Sequence, residues 1–520
     1  MKSLGWFLFV AHLLPNVSSI FIPPITYNPS TQKPLRTYTS KFTSYLSDPG
    51  LDGWLEREEQ IAVQRLIANL APIGRNAEDA APGAVIASPS RGQPGQPNYY
   101  YQWVRDGSIT ASTIVDLYRD DPSSDLSSDL VTFLDAFTTI SHRLQHTDNP
   151  SGSFDNLKGL GEPKFMADGS PYTESWGRPQ RDGPALRAIT LMQYLRAYNE
   201  THPEVWSSME GEDWFDRLYY PSMPANSTIK ADLEYVSHSW RESGFDLWEE
   251  VQGKHFFTAM VQLRALQEGA ELARLFGDKG AAKWYQKQAD KLKGFMHLFW
   301  DDTKGHLVET LTSDRSGLDC GLLLGAIHGT GKHSSPYPPH SDEVLVSLLG
   351  LVNDQRDRFP INSSPGNQRT KNASEELHGV GVGRYPEDVY DGISTDGGNP
   401  WFLCTCTVAE TLYRTSSYLT SSASLNISNT SLPFYRALLP RHRDDLQLGV
   451  ANEIVYNAAV KRLKEIGDEF LDVVKIHTDA EGALSEQFDA VTGFERGARD
   501  LTWSYGAFLQ AVRARKRLLA

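Results

Sequence analysis

Five stretches of this chain combine tryptophan or tyrosine with arginine and carboxylates. Aromatic faces cover the apolar faces of sugar rings, while arginine and carboxylate groups hydrogen-bond to sugar hydroxyls. The stretches are residues 99–106, 175–184, 246–251, 383–388 with 399–401, and 485–489 with 499–503. Their composition favours carbohydrate chemistry.

Cleavage of a glycosidic bond needs a carboxylic acid that protonates the leaving oxygen and a carboxylate on the other side of the bond. Glu249 is a candidate for the acid, because Trp248 and the neighbouring carboxylate of Glu250 would both favour a protonated glutamate. The plainer interpretation stays open at this point. Adjacent glutamates often mark a solvated helix face, most tryptophans and tyrosines pack in cores, and Arg–Asp neighbours often form structural ion pairs.

Other motifs in the chain do not support a cofactor or a metal. Residues 329–332 (GTGK) resemble a phosphate loop, but its first glycine is absent and His333 replaces the required Ser or Thr. The glycines of residues 379–383 lack dinucleotide-binding spacing, and His328, His333 and His340 lack metal-ligand spacing. We therefore expect no cofactor and no metal ion.

The elements that must position these stretches are predicted to be helices. Apolar residues recur at three- and four-residue spacing, alternating strand patterns are scarce, and the five stretches fall largely in loops. An all-α fold is predicted, with a surface loop at the Ser/Thr-rich residues 415–429. The predicted helices are residues 51–71, 108–118, 130–144, 184–198, 229–240, 256–275, 281–298, 342–351, 402–419, 453–476 and 500–518.

Charge and cysteine content exclude some classes of protein. The 65 acidic and 50 basic residues give a net charge of -15, which is unsuited to binding nucleic acid or an anionic membrane. Three cysteines, Cys320, Cys404 and Cys406, cannot all pair and have no zinc-like spacing, so buried thiols are expected. We expect a monomer.

The first 19 residues resemble a secretory signal peptide. A lysine precedes an apolar run over residues 4–14 that is too short to span a bilayer, and small residues follow up to a predicted cleavage after Ser19. Export is also favoured by glycosylation sequons at Asn199, Asn226, Asn362, Asn372, Asn426 and Asn429. The sequence therefore predicts a secreted glycoprotein.

In order and approximate spacing, the motifs resemble those of the fungal glucoamylases, family 15 of the glycoside hydrolases. The matching stretches are GEPKF at 161–165, SWGRPQRDGPALRA at 175–188, DLWEEV at 246–251, GRYPED at 383–388, NPWFLC at 399–404 and RDLTWSY at 499–505. The resemblance covers about residues 51–510. It implies an (α/α)6 barrel that releases glucose from non-reducing ends of α-1,4-linked glucans with inversion.

The resemblance also implies roles for individual residues. Glu249 corresponds to the general acid and Glu486 to the general base. Asp246 corresponds to an aspartate also described as a proton acceptor, but it lies only three residues from the acid, so Glu486 ranks above it. The implied substrate contacts are Tyr99 near the attacking water, Trp103, Arg105 and Asp106 at the innermost glucose, Trp176 beside the acid, Glu250 and Arg384 at the cleavage point, and Trp401 and Trp503 on the walls.

Some features depart from the family pattern. Gly497 stands where many relatives carry a serine that hydrogen-bonds the base, which leaves the pH profile open. We expect one catalytic domain over residues 20–520, without the starch-binding domain of many relatives. Two alternatives remain: a carbohydrate-binding protein that has lost catalysis, and a hydrolase of the same fold acting on trehalose or an α-1,6 dextran.

Overall fold

Helices dominate the computed structural model, which describes residues 50–363 and 376–519. The helices are α1 (Gly50–Ala68), α2 (Val104–Asp120), α3 (Ser127–Gln145), α4 (Gly183–Thr201), α5 (Met209–Leu218), α6 (Thr228–Ser239), α7 (Phe256–Leu275), α8 (Lys279–Phe295), α9 (Cys320–His328), α10 (Asp342–Arg358), α11 (Phe402–Ser422), α12 (Leu432–Leu438), α13 (Glu453–His477) and α14 (Thr502–Leu519).

Within the residues that the structure describes, five antiparallel strand pairs lie in the loops between helices. They are β1 (Tyr101–Trp103) with β2 (Lys164–Met166), β3 (Gly244–Phe245) with β4 (Gln252–Gly253), β5 (Trp300–Asp301) with β6 (His306–Leu307), β7 (Asn426–Ile427) with β8 (Gly449–Val450), and β9 (Gln487–Phe488) with β10 (Glu495–Arg496). Short 3-10 turns span Lys158–Gly161, Val205–Ser207, Met296–Phe299, Pro360–Ser363 and Pro440–Asp445.

Six helices form a closed inner ring. Helix α2 packs against α4, α4 against α7, α7 against α9, α9 against α11, α11 against α14, and α14 back against α2. The helices between them in sequence lie outside: α1 packs on α14, α3 on α2, α6 on α4 and α7, α8 on α7, α10 on α9, and α13 on α11. This alternation of outer and inner helices is an (α/α)6 barrel, as the resemblance implied.

The burial of each helix follows its place in the barrel. Outer helix α8 buries one face, with Ala281, Tyr285, Gln288 and Leu292 at three- and four-residue spacing. Inner helix α9 buries every residue from Cys320 to Ile327, because neighbours surround it. Nowhere in residues 50–363 or 376–519 does a helix have the length and apolarity needed to cross a membrane.

All eleven predicted helices overlap observed ones, and the sequence missed α5, α9 and α12. The predicted surface loop 415–429 is wrong in its first half, because α11 continues to Ser422. Hydroxyls on this helix bond back to the preceding turn: Thr415 Oγ1 donates to the Thr411 carbonyl at 2.7 Å and Thr420 Oγ1 to the Ser416 carbonyl at 2.9 Å. The Ser/Thr-rich composition is therefore compatible with the helix.

The glycosylation sequons of the described residues differ in how exposed their asparagines are. Asn362 is only 7% exposed, and its amide nitrogen donates to two backbone carbonyls at 3.0 Å, so this sequon cannot carry a glycan in the fold. Asn226, Asn426 and Asn429 are exposed. The predicted signal peptide and the Asn372 sequon lie outside the described residues. All three cysteines are free and buried, as predicted.

Candidate active site

A pocket opens where the inner helices begin, and it encloses about 510 Å³ including its mouth. Residues at or before the starts of α2, α7, α11 and α14 line it together, so these helix ends meet at one end of the barrel. The lining residues are Ala87, Tyr99, Trp103, Arg105, Asp106, Leu247, Trp248, Glu249, Arg384, Tyr390, Trp401, Glu486, Leu501 and Trp503.

Most residues that the sequence pointed to therefore lie together. Nine of the twelve line the pocket, including both Glu249 and Glu486. Asp246, Trp176 and Glu250 do not belong to the lining. Sequence reasoning missed four of the lining residues and considered Trp248 only for its effect on Glu249. The four are Ala87, Leu247, Tyr390 and Leu501; Leu247 and Leu501 lie inside the DLWEEV and RDLTWSY motifs, and Tyr390 lies two residues after GRYPED.

One oxygen of Glu249 accepts two hydrogen bonds and lies near a guanidinium. Trp103 Nε1 donates to Glu249 Oε1 at 2.8 Å, Gln180 Nε2 donates to the same oxygen at 2.9 Å, and the guanidinium of Arg105 lies 3.6 Å from it. Among the described residues, no hydrogen bond to Oε2 of Glu249 is formed. Oε2 is therefore the oxygen that can carry a proton toward a bound substrate.

Asp246 shapes the turn that presents Glu249. Its Oδ1 accepts from the backbone N–H groups of Glu250 and Val251, both at 2.7 Å, and its carbonyl accepts from the Glu249 N–H at 3.0 Å. Glu249 adopts φ +71°, a left-handed conformation that a side chain rarely takes without such support. At 2% exposure, Asp246 faces this turn rather than the pocket, which favours a positioning role over proton transfer.

Glu250 lies beside the pocket in an ion-pair network. It accepts from Arg315 at 2.8 Å and lies 2.9 Å from Arg384, and the Tyr385 hydroxyl also donates to it. Although burial opposes ionisation, Arg384 and the other two donors lower the pKa of Glu250. Its charge is thus neutralised, and it does not supply the repulsion that the sequence suggested for Glu249.

Glu486 is almost completely buried. It is 1% exposed, and burial raises its pKa to about 7, although hydrogen bonds from Tyr99, Ala498 and Tyr390 and the charge of Arg384 oppose the shift. The Tyr390 hydroxyl and the Ala498 N–H each lie 3.4 Å from Oε2 of Glu486. The hydroxyls of Tyr99 and Tyr390 are 3.0 Å apart, so the two phenols form one network at this carboxyl.

Gly497 allows Glu486 to lie where it does. Its φ is +76°, and a Cβ built there would come 2.3 Å from Oε2 of Glu486. A serine at this position, as the family resemblance implied, would therefore not fit here unless the Glu486 carboxyl moved. The alanine N–H at 498 and the Tyr390 hydroxyl provide the polar contacts on this side.

Two buried arginines give the pocket fixed positive charge. Arg105 bonds Asp182 at 3.0 Å and lies 3.5 Å from Asp106, whose pKa burial raises to about 6. Arg384 forms a bidentate pair with Asp388 at 2.8 and 2.6 Å. Such planar forks present further N–H groups to sugar hydroxyls, while the ring faces of the pocket suit a pyranose.

An aromatic wall of three tryptophans completes the pocket. The ring of Trp248 stacks on that of Trp503 with centroids 6.3 Å apart and lies 5.7 Å from that of Trp401. Trp248 Nε1 donates to the buried Asp319 at 2.9 Å, which fixes the ring. Trp176 is half-buried, does not belong to this lining and contacts Trp103, with ring centroids 6.1 Å apart.

Comparison with known proteins gives a consistent family. Residues 60–513 match the sequence profile described as glycosyl hydrolases family 15. A glucoamylase of Saccharomycopsis fibuligera is 35% identical over 96% of this chain and 98% of its own length. A relative from Saccharomyces cerevisiae named as an intracellular, sporulation-specific glucoamylase is 31% identical over 90% of this chain and 85% of its own. The solved Saccharomycopsis fibuligera glucoamylase superimposes with a TM-score of 0.80 at 34% identity, covering 91% of this chain and 96% of that one.

Proposed function

Because the chain belongs to family 15 of the glycosyl hydrolases, we propose that it releases glucose from non-reducing ends of α-1,4-linked glucans such as starch. The observation that carries the proposal is the pairing of Glu249 and Glu486 in one aromatic pocket. Both carboxyls are present with supporting contacts, so an inactive carbohydrate-binding protein has no support.

We assign the terminal glucose to the inner part of the pocket. Arg105 is buried there and Asp106 is half-buried, and their polar groups can bond the hydroxyls of a ring that stacks on the tryptophan wall. A chain end enters such a pocket more readily than the middle of a polymer does. This supports exo action, one glucose per cleavage.

The proposed reaction is a single displacement. Glu249 donates the proton on Oε2 to the glycosidic oxygen as the bond from C1 to that oxygen breaks. A water attacks C1 from the opposite face, and Glu486 takes a proton from this water. The C1 configuration inverts, β-glucose leaves, and one proton has moved from the acid to the base, so solvent exchange restores both.

The configuration of the first product tests this mechanism. Maltoheptaose is mixed with enzyme and the anomeric protons are followed by NMR before mutarotation equilibrates them. β-Glucose should appear first, with maltohexaose as the other product. Initial α-glucose, or maltose as the main product, would overturn the assignment, and faster hydrolysis of trehalose or dextran would point to another α-glucoside.

We further propose that the protein is secreted, as a glycosylated monomer. The support is the N-terminal residues 1–19 and the exposed sequons at Asn226, Asn426 and Asn429. Protein recovered from culture medium should begin at Ile20 and lose mass on endoglycosidase treatment. Replacing the three exposed asparagines by glutamine should reduce that mass loss, whereas Asn362→Gln should leave it unchanged. Retention inside the cell with an intact N-terminus would instead match the intracellular relative.

A further inference from the structure

Lys164 lies within an enclosure of four aromatic rings, one of which, Trp103, lines the pocket. It belongs to β2 and lies directly opposite Trp103 of β1 in the strand pair. Its ammonium nitrogen is 3.5 Å from the ring centroid of Trp176, 4.1 Å from those of Tyr101 and Tyr172, and 4.6 Å from that of Trp103. We call these four rings the lysine cage.

The ammonium has little to bind it apart from the cage. Lys164 is 2% exposed, and none of its contacts with the described residues is an ion pair within 4 Å. A buried cation without a paired carboxylate is costly, and ring faces recover part of that cost through cation–π attraction. Burial accordingly lowers the pKa of Lys164 to about 8, with the nearby charges of Glu249 and Glu174 opposing the shift.

The cage rings also contact one another. Tyr101 and Tyr172 have centroids 5.4 Å apart, Tyr172 and Trp176 5.7 Å, Tyr101 and Trp103 6.0 Å, and Trp103 and Trp176 6.1 Å. The lysine therefore links two strands and the 172–176 loop through rings that share one cation. The position of each ring depends on the others.

One cage ring bonds the proposed general acid. Trp103 donates from Nε1 to Glu249 Oε1 at 2.8 Å, the same oxygen that Gln180 holds. A shift of the Trp103 ring would lengthen this bond and let the carboxyl rotate. Oε2, which has no such bond, would then lose its direction toward the substrate.

We propose that Lys164 is a positioning residue for proton donation: its cation fixes the lysine cage, and the cage holds the Trp103 indole that orients Glu249. The proposal rests on the role of Glu249 given under the proposed function. Lys164 touches no reacting atom. It acts on the acid through Trp103, so its loss should reduce turnover rather than binding.

The test compares a glucan with a substrate whose leaving group needs little protonation. Lys164→Met keeps the stem and removes the charge. On maltoheptaose, kcat should fall about 10- to 100-fold, a share of the roughly 10²–10⁴ that general acid catalysis supplies, while KM stays within about threefold. On α-glucosyl fluoride, turnover should stay within about threefold of the parent, because fluoride leaves with much less help from an acid.

A double variant tests whether Lys164 acts through Glu249. If Lys164 works through Glu249, adding Lys164→Met to Glu249→Gln should change kcat on maltoheptaose by less than about threefold. Independent effects would instead multiply. Lys230→Met is the matched control, since Lys230 is a buried lysine that pairs with Asp278 on the outside of the barrel. It should lower Tm and leave kcat unchanged.

The outcomes separate the inference from the function on which it rests. Near-normal kcat on maltoheptaose in Lys164→Met, or equal losses on both substrates, or multiplicative losses in the double variant, would each overturn the role of Lys164. If Glu249→Gln itself retained full activity on maltoheptaose, the assignment of Glu249 as the general acid would fail instead, whereas the hydrolysis of the glucan would stand.

Discussion

Removing the Tyr390 hydroxyl should move the acidic limb of the pH profile upward. Tyr390 donates to Oε2 of Glu486 at 3.4 Å, and this bond favours the ionised carboxyl. A general base must be ionised to accept a proton. Tyr390→Phe removes a contact that stabilises the anion, so the pKa of Glu486 should rise further above its present value of about 7.

The size of the shift follows from the length of the bond. Hydrogen bonds to charged groups contribute about 1.5–3 kcal/mol at good geometry, and a 3.4 Å contact should contribute about 1 kcal/mol. At 1.36 kcal/mol for each pKa unit, the limb should move by about 0.7 unit. At pH values below the limb, kcat/KM should fall roughly fivefold, and above it the two proteins should agree.

The assay is kcat/KM for maltoheptaose at half-unit steps from pH 4 to pH 9. Tyr285→Phe is the control, because the Tyr285 hydroxyl lies outside the pocket and donates to Glu234 at 2.7 Å. The acidic limb of its pH profile should match that of the parent. A uniform loss at every pH would mean that Tyr390 acts on the substrate. A limb that moves to lower pH would refute the sign of the interaction.

Three further variants test the supports of the site and the fold. Gly497→Ala should lower kcat at least about tenfold, because its Cβ displaces the Glu486 carboxyl. Gly277→Ala is the control: its φ is +72° and no atom lies within 4 Å of the added Cβ. This control should cost only the backbone strain of about 1–2 kcal/mol and should keep full activity. Asp246→Asn keeps an oxygen that can accept both backbone N–H bonds, so kcat should fall less than about tenfold; a loss of 10²-fold or more would favour a role in proton transfer. Burial raises the pKa of Glu58 from 4.5 to about 8, so the folded state keeps a proton that the unfolded chain loses, and the free energy of unfolding falls as pH rises through this window. Glu58→Gln should therefore raise Tm relative to the parent more at pH 8 than at pH 4.5. Equal differences in Tm at the two pH values would contradict this.

Most helices with a polar face were predictable, with the short helix α5 as an exception. Outer helices such as α8 carry the three- and four-residue apolar spacing because one side meets water, and their positions were found within a few residues. Helix α9 is apolar throughout, with the sequence CGLLLGAIH, and periodicity cannot detect a helix that has no polar face. The closure of the ring depends on contacts distant in sequence, so the barrel itself came from the family resemblance rather than from periodicity.

The site was predictable as a set of residues, but not as a set of contacts. The motif around Glu249 predicted this residue as the acid, yet nothing local revealed that Trp103 and Gln180 both bond the same oxygen of its carboxyl. Adjacent Glu250 was expected to repel Glu249, but its side chain turns to two arginines. The direction of a side chain in a turn depends on backbone angles, and the +71° φ at Glu249 is not readable from residue types.

The burial of Glu486 would favour the opposite assignment of the two carboxyls, and one experiment decides between the assignments. Burial raises the pKa of Glu486 to about 7, a feature that would favour a proton donor at neutral pH. Glu249 has a free Oε2, two hydrogen-bond donors on Oε1 and the Arg105 guanidinium 3.6 Å from Oε1, an arrangement suited to directing one proton. If Glu249 is the acid, Glu249→Gln should lose about 10²–10⁴ in kcat on maltoheptaose and keep much of its turnover of α-glucosyl fluoride, since fluoride hardly needs the proton. Glu486→Gln should lose activity on both substrates, because water must still be activated in each reaction. The reverse pattern, with fluoride hydrolysis surviving only in Glu486→Gln, would exchange the two roles and would mean that burial, rather than the orientation of the free oxygen, selects the acid in this pocket.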